Sequence, residues 1–569
     1  MTDQIQPAPL PRSPEVTKEL VQKTAAELGL RVPERYEADF TEMLNSAREV
    51  MEQVANMDGL HEMLAYVHTM NLFGCDLDFL PPVDFARFPR TDISRPPPED
   101  NPHNAWAAKA TVKSTGEEAT SGPLAGQRII LKDNVCLAGV PCEFGTSVFS
   151  DWVPTTDATV VTRILESGGI IVGKGTCENF CAYGVSNTAA HGPVGNPYDQ
   201  TRSAGGSTSG CAVLLVVNEA DLAIGGDQGG SIRIPSSHCG LVGLKPTFGL
   251  VPYTGIISSE TSIDHTGPMS RDVLANAELL RVIAGVDGMD DRQLAGTPFP
   301  GQVPNYPALL SAARSARALL STTQNVQGEA PGDTRKLRIG VLKEGETIPG
   351  IDPRVIACVR AAASRFEQLG AEVVEVSIPG HADAPIIGRA YRFQQSNNLL
   401  GRSSGTRQVY LNDLTDKIMP WTQEKFESLF SHSSSSLIQG LFADKYYPSL
   451  HGKAHNLMRK LRMEYDRVLK SVDVLLMPTL PWVAKRLLPQ DAPPLAHFNE
   501  SWGLTFNTQP FNLTGHPALS IPCGMLSPPE GPETTRLPVG MQLVGRYYEE
   551  LTLYKAALTW EDGNDWKAI

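Results

Sequence analysis

Residues 223–235 read Ala-Ile-Gly-Gly-Asp-Gln-Gly-Gly-Ser-Ile-Arg-Ile-Pro, a run that sets one hydroxyl, Ser231, among four glycines. Side chains this sparse add little to packing. A serine that attacks a carbonyl generates an oxyanion, which backbone N–H groups must meet at hydrogen-bond distance. Glycine lets the backbone come that close. The run therefore reads as a nucleophile loop, with Ser231 attacking and the amides of Gln228, Gly229, Gly230 and Ser231 forming an oxyanion hole. Taken alone, the stretch fits equally well a glycine-rich turn that binds nothing, or a phosphate loop. Asp227 and Arg233 flank it with opposite charges, an arrangement better suited to structural support than to direct chemistry.

A serine nucleophile needs a base. Histidine is the usual partner, and the chain has twelve. His238 is the nearest, in Ser-Ser-His-Cys-Gly, where its neighbours predict a buried turn rather than a poised base. Two other features compete with it. Ser-Ala-Gly-Gly-Ser-Thr-Ser-Gly-Cys-Ala at 203–212 places Ser207 behind two glycines. Leu-Lys-Asp-Asn places Lys132 at the end of an apolar run, and burial disfavours a lysine's charged form, which frees it to act as a base.

Lys132, Ser207 and Ser231 in these flanks resemble the amidase signature family. The matching segments are GQRIILKDNV, GNPYDQTRSAGGSTSGCA, DLAIGGDQGGSIRIPSSHCGLVGLKPTFGLVP and SIDHTGPMSR, followed by FNTQPFNLTGHPALSIPCG and LPVGMQLVGR. Several separated matches are far more specific than a single motif. The resemblance implies cleavage of acyl C–N bonds by a Ser–cisSer–Lys triad. Ser231 would be the nucleophile, Ser207 the bridging serine after a cis peptide from Gly206, and Lys132 the terminal base. Thr208 stands where many members carry a second serine, and it keeps the hydroxyl.

The resemblance further implies a small-molecule amide or carbamate as substrate, with no metal and no organic cofactor. An added helical N-terminal unit, together with GGDQGGSIRIP and LKPTFGLVPYTG, is similar to the amidases associated with nitrile hydratases. Their N-terminal helices help form a dimer, so a homodimer or larger homo-oligomer is expected. Two alternatives stay open. One is an amidotransferase component that draws ammonia from glutamine for a charged transfer RNA; the other is a non-catalytic scaffold. Acidic charge balance and the extra helices weigh against the first, and a filled triad weighs against the second.

Other motifs are decoys. Gly-Gly-Ile-Ile-Val-Gly-Lys-Gly-Thr at 168–176 approaches a Walker A loop, yet Gly175 stands where Ser or Thr would ligate magnesium. GRSSG at 401–405 matches a nucleophile elbow around Ser403 but lacks the preceding strand, and predicts a polar surface turn. Nine scattered cysteines read as reduced thiols. Cys177 and Cys181 have the spacing of one helix face, but no second Cys or His pair with zinc spacing follows. Cys177, Cys211 and Cys239 read as small buried side chains.

The elements that must hold these residues show in apolar period and punctuation. At 569 residues the chain exceeds one compact domain. Residues 1–85 predict a helical oligomerisation domain, with helices over 14–29 behind Ser13-Pro14, over 34–57 and over 61–73. A proline-dense extended connection follows. The resemblance makes residues 86–569 the expected amidase signature catalytic domain. There Arg128–Lys132 predicts a strand, Asp157 caps a helix through Ser167, and a strand follows Gly168-Gly169. The grammar recurs with Asp352 as cap, Pro353, a helix to Leu369, Gly370 and another strand. Such alternation predicts an α/β fold, a large mixed twisted sheet covered by helices. Residues 327–336 and 431–436 predict surface loops. A formal net charge of −14 argues against nucleic acid and anionic membranes as partners. No apolar run reaches a membrane span and no secretory pattern opens the chain, so a cytoplasmic location is expected.

Overall fold

The computed structural model describes residues 16–26, 34, 37–38, 41, 82–316, 321–322, 335–390, 410–446, 449–532 and 534–569. The chain divides into two compact units, residues 1–81 and 82–569. In the first, Lys18–Ala26 is a helix. The start signal at Ser13-Pro14, most of the 34–57 expectation and all of the 61–73 expectation lie outside the described residues.

The second unit is built on a mixed sheet of twelve strands. In chain order they are β1 (Arg90–Ser94), β2 (Trp106–Val112), β3 (Arg128–Lys132), β4 (Ile170–Gly175), β5 (Leu222–Asp227) and β6 (Val242–Lys245). They continue with β7 (His265–Ser270), β8 (Arg338–Leu342), β9 (Glu372–Val376), β10 (Val474–Pro478), β11 (Ala518–Leu526) and β12 (Leu537–Val544). Their spatial order is β1-β2-β4-β3-β5-β7-β6-β11-β12-β10-β8-β9. β3 is parallel to both neighbours, β4 and β5, and β8 is parallel to β9 and β10. The other pairings are antiparallel. β1, an edge strand, lies within the proline-dense stretch, so residues 90–94 of the expected connection belong to the sheet.

β3 explains how the sheet aims its lysine. Ile129, Ile130 and Leu131 are fully buried, as befits a strand covered on both faces. Ile129 and Leu131 share a core with Val160, Val161, Ile164 and Leu165 of the helix Thr159–Glu166. Ile130 instead joins Cys211, Ala212, Val213 and Leu215 of the helix Ser209–Val216. Strand side chains alternate faces, so Lys132 shares the face of Ile130. Ile129, Ile130 and Leu131 each contribute roughly 1.5–3 kcal/mol by burial. The lysine is thereby carried to the side on which the Ser209–Val216 helix begins.

Asp352 caps Pro353–Leu369 by accepting the Arg354 N–H at 2.9 Å, and Gly370 ends that helix in the left-handed region, φ 113°. Three local expectations need correction. Asp157 does not cap Thr159–Glu166; its carboxylate is taken by the Ala138 N–H at 2.8 Å and by Arg90. Residues 431–436 open the helix Ser431–Tyr446 rather than a loop, because Leu437 is buried in an apolar cluster and packing overrides serine's weak helix propensity. His238 lies in the helix Arg233–Cys239, not in a turn.

Candidate active site

β3 and β5 are parallel neighbours in the register Leu131 to Ile224, so both end at one edge of the sheet, where open α/β sheets bind ligands. Lys132 closes β3. Asp227 closes β5, and Gln228–Ser231 follow. The Lys132 Nζ donates to Ser207 Oγ at 2.9 Å and to the Gly226 carbonyl at 3.1 Å. Ser207 Oγ donates to the Cys181 carbonyl at 3.1 Å, and Thr208 Oγ1 to the Gly226 carbonyl at 3.2 Å. The Gly206–Ser207 peptide is cis. A Cβ on Gly206 would lie 2.7 Å from the Tyr183 carbonyl and 2.8 Å from Glu178 Cγ, so only glycine fits.

Burial alone does not single out Lys132. Lys132, Lys174 and Lys245 are all fully buried. Lys174, the lysine of the Walker-like run, lies in β4 and forms an ion pair at 3.0 Å with Asp133, which follows β3. Lys245 donates to the Pro246 carbonyl at 2.9 Å. Among the described residues, Lys132 has no carboxylate within ion-pair distance, and its side-chain partner is a hydroxyl.

Ser231 lines a cleft with Gln228, Gly229, Cys181 and Tyr183. Among the described residues the amides of Gln228, Gly229 and Ser231 donate to no protein group, whereas the Gly230 N–H goes to Asp227 Oδ1 at 2.8 Å. Three of the four amides expected at the oxyanion are thus free. Gly230 adopts φ 134°, and a Cβ there would stand 2.4 Å from Thr508 Oγ1.

The loop's shape comes from the fully buried Asp227–Arg233 pair. Asp227 also accepts the Ile232 N–H at 3.1 Å and the Asn512 amide at 2.8 Å. Arg233 continues to the Thr508 carbonyl, Gln542 Oε1 and Asn512 Oδ1 at 2.7, 2.7 and 2.8 Å. Burial would raise the Asp227 carboxyl; the Arg233 guanidinium and the Asn512 amide outweigh it and hold the group well below the usual carboxylate range. Asp227 and Arg233 thus tie the loop backbone to residues 508, 512 and 542.

Sequence reading missed the groups that fix this site from afar. Thr508 Oγ1 donates to the Gly229 carbonyl at 2.6 Å, and Gln228 Nε2 donates to Tyr253 Oη at 2.9 Å. Glu178 is fully buried and accepts the Thr188 N–H, the Thr188 hydroxyl and the Ser209 hydroxyl at 2.8, 2.7 and 2.8 Å. Burial outweighs these bonds and pushes its carboxyl up to about 7. No short motif marks any of them.

His238 lines a separate small cavity with Trp482, Lys485 and Glu500, and burial pushes its imidazole down to about 4. Cys177 and Cys181 share no helix face, since Phe180 and Cys181 take positive φ within the short turn Asn179–Cys181. Cys177, Cys211 and Cys239 are buried. Among the described residues no group of three His, Cys, Asp or Glu side chains is placed to hold a metal. The GRSSG run lies outside the described residues.

Residues 100–554 match the family model described as Amidase. An enantioselective amidase from Rhodococcus rhodochrous is 36% identical over 81% of this chain and 83% of its own length. A glutamyl-tRNA(Gln) amidotransferase component of a Synechococcus strain is 33% identical over 81% of this chain and 89% of its own. The crystal structure of peptide amidase from Stenotrophomonas maltophilia superposes with a TM-score of 0.60 at 25% identity, covering 78% of this chain and 83% of that one. With the family model matched over most of its length, the chain belongs to the amidase signature family.

Proposed function

We propose that this chain hydrolyses acyl C–N bonds of small amides, carbamates included, through Ser231, Ser207 and Lys132, releasing ammonia or an amine. The observation that carries this reading is the 2.9 Å contact between Lys132 Nζ and Ser207 Oγ, beside the cleft that Ser231 lines. As the free amine, Lys132 takes the Ser207 proton while Ser207 takes that of Ser231. Ser231 Oγ attacks the carbonyl carbon, and the oxyanion settles on the unpartnered amides of Gln228, Gly229 and Ser231. The proton returns through Ser207 to the leaving nitrogen. Water then repeats the sequence on the acyl-enzyme and restores Ser231. Gly206 and Thr208 hold the bridging serine, and Asp227 and Arg233 hold the loop. No step calls on a metal or cofactor. Eight described cysteines are free thiols, which suits a cytoplasmic setting.

A second reading draws on the amidotransferase relatives: ammonia release from glutamine for a transfer-RNA partner. One assay separates the two. The purified chain is expected to release ammonia from simple amides with no partner and no ATP, and folded Ser231→Ala is expected to release none. Activity on glutamine alone, and only with a partner protein, would favour the second reading. Near-normal turnover by folded Ser231→Ala would refute the nucleophile assignment.

A further inference from the structure

Beyond the nucleophile cleft the fold leaves a larger cavity of about 380 Å³. Tyr183, Gly184, Thr505 and Gln509 line both spaces, so the two adjoin. One wall of the larger cavity is aromatic. Phe498 lies 5.7 Å from Trp502, and Trp502 lies 5.6 Å from Phe506 in an edge-on arrangement. Among the described lining residues a single side chain is charged, Arg389. Its guanidinium stands 5.3 Å from the Phe498 ring centre and 5.5 Å from that of Trp502, and among the described residues it has no carboxylate partner. The backbone beside it is anchored: a Cβ on Gly388 would fall 2.2 Å from the Gln509 amide, so the helical residues 384–390 press directly on the cavity wall.

Flat apolar walls select an aryl or aralkyl group, because aromatic rings prefer offset or edge-on neighbours. A lone arginine stacked on those walls presents its forked donors to a planar anion, above all a carboxylate. In a chain of net charge −14, a cation at a cavity wall with no carboxylate partner among the described residues stands out. We propose that this cavity is a substrate subsite for an aryl or aralkyl group ending in a carboxylate, with Arg389 as its specificity-determining contact. The proposal rests on the hydrolytic reading above and narrows it to anionic aromatic amides.

The test compares 3-(4-carboxyphenyl)propanamide with 3-phenylpropanamide in wild type, Arg389→Met and Arg389→Lys. Wild type is expected to favour the carboxylated amide in kcat/KM by about tenfold, a modest factor because Arg389 is exposed and solvent-screened. Arg389→Met is expected to erase that preference through KM while leaving the neutral amide within about twofold, and Arg389→Lys to keep part of it. Raised salt should shrink the preference in wild type. Equal loss on both amides in Arg389→Met, or a wild-type preference for the neutral amide, overturns the proposal. A calorimetric titration of the same two amides into Ser231→Ala reads the subsite without chemistry. If wild type hydrolyses neither amide, the functional reading fails, and the titration still decides the subsite: tighter carboxylate binding lost in Ser231→Ala/Arg389→Met supports it, and equal binding rejects it.

Discussion

Replacing Glu178 by glutamine tests the electrostatics beneath the bridging serine. The carboxyl is fully buried and titrates at about 7, up from its ordinary 4.5, with burial as the dominant cause over three hydrogen bonds that oppose it. A raised carboxyl pKa means that the folded state keeps its proton longer than the unfolded chain does. Below pH 4.5 both states are protonated and the group adds no penalty. Between about 4.5 and 7 the unfolded chain releases its proton first, so stability falls by about 1.4 kcal/mol per pH unit. Above 7 the penalty levels off at about 3 kcal/mol. Glutamine preserves the contacts: its carbonyl oxygen can accept both Thr188 bonds, and its amide can donate to Ser209 Oγ, whose hydroxyl turns to the Thr176 carbonyl at 3.3 Å. Glu178→Gln should therefore exceed wild type by less than about 1 kcal/mol at pH 5 and by about 3 kcal/mol at pH 8. The assay is urea unfolding of both proteins at half-unit steps of pH. Parallel stability curves, with a constant gap from pH 5 to 8, would refute the reasoning.

Acylation rates should fall at least 100-fold in Lys132→Arg, about as far as in Lys132→Ala, since arginine keeps its proton. His238→Ala should lose less than about tenfold; an active Lys132→Arg beside a dead His238→Ala would move the base to the histidine. Arg233→Met strands the buried Asp227 charge and should destabilise the chain by about 3–5 kcal/mol, with Asp227→Asn/Arg233→Met recovering part of that in denaturant titrations. Light scattering of the full chain should give a dimer or larger species that deletion of residues 1–85 converts to monomer, and a full-length monomer at micromolar concentration rejects that assembly.

Legibility in this chain followed the range of the forces involved. Arg128–Lys132 and Pro353–Leu369 fall where their residues predict, because an apolar run, a cap and a terminal glycine act over a few positions. Ser431–Tyr446 broke the rule: four consecutive serines suggest a loop until Leu437 finds a distant apolar cluster. Asp157 has a capping residue's type and position, but Arg90, 67 residues away, claims its carboxylate. The same contrast divides the site. Lys132, Ser207 and Ser231 were visible because each sits in a glycine-rich or strand-end context of its own. The Asn512 amide that meets Asp227 comes from 285 residues downstream, and the Thr508 hydroxyl on Gly229 from 279. Only the folded sheet edge brings those segments to the loop, so short stretches suffice to propose the chemistry, while the hydrogen bonds that hold the loop from afar leave no mark in them.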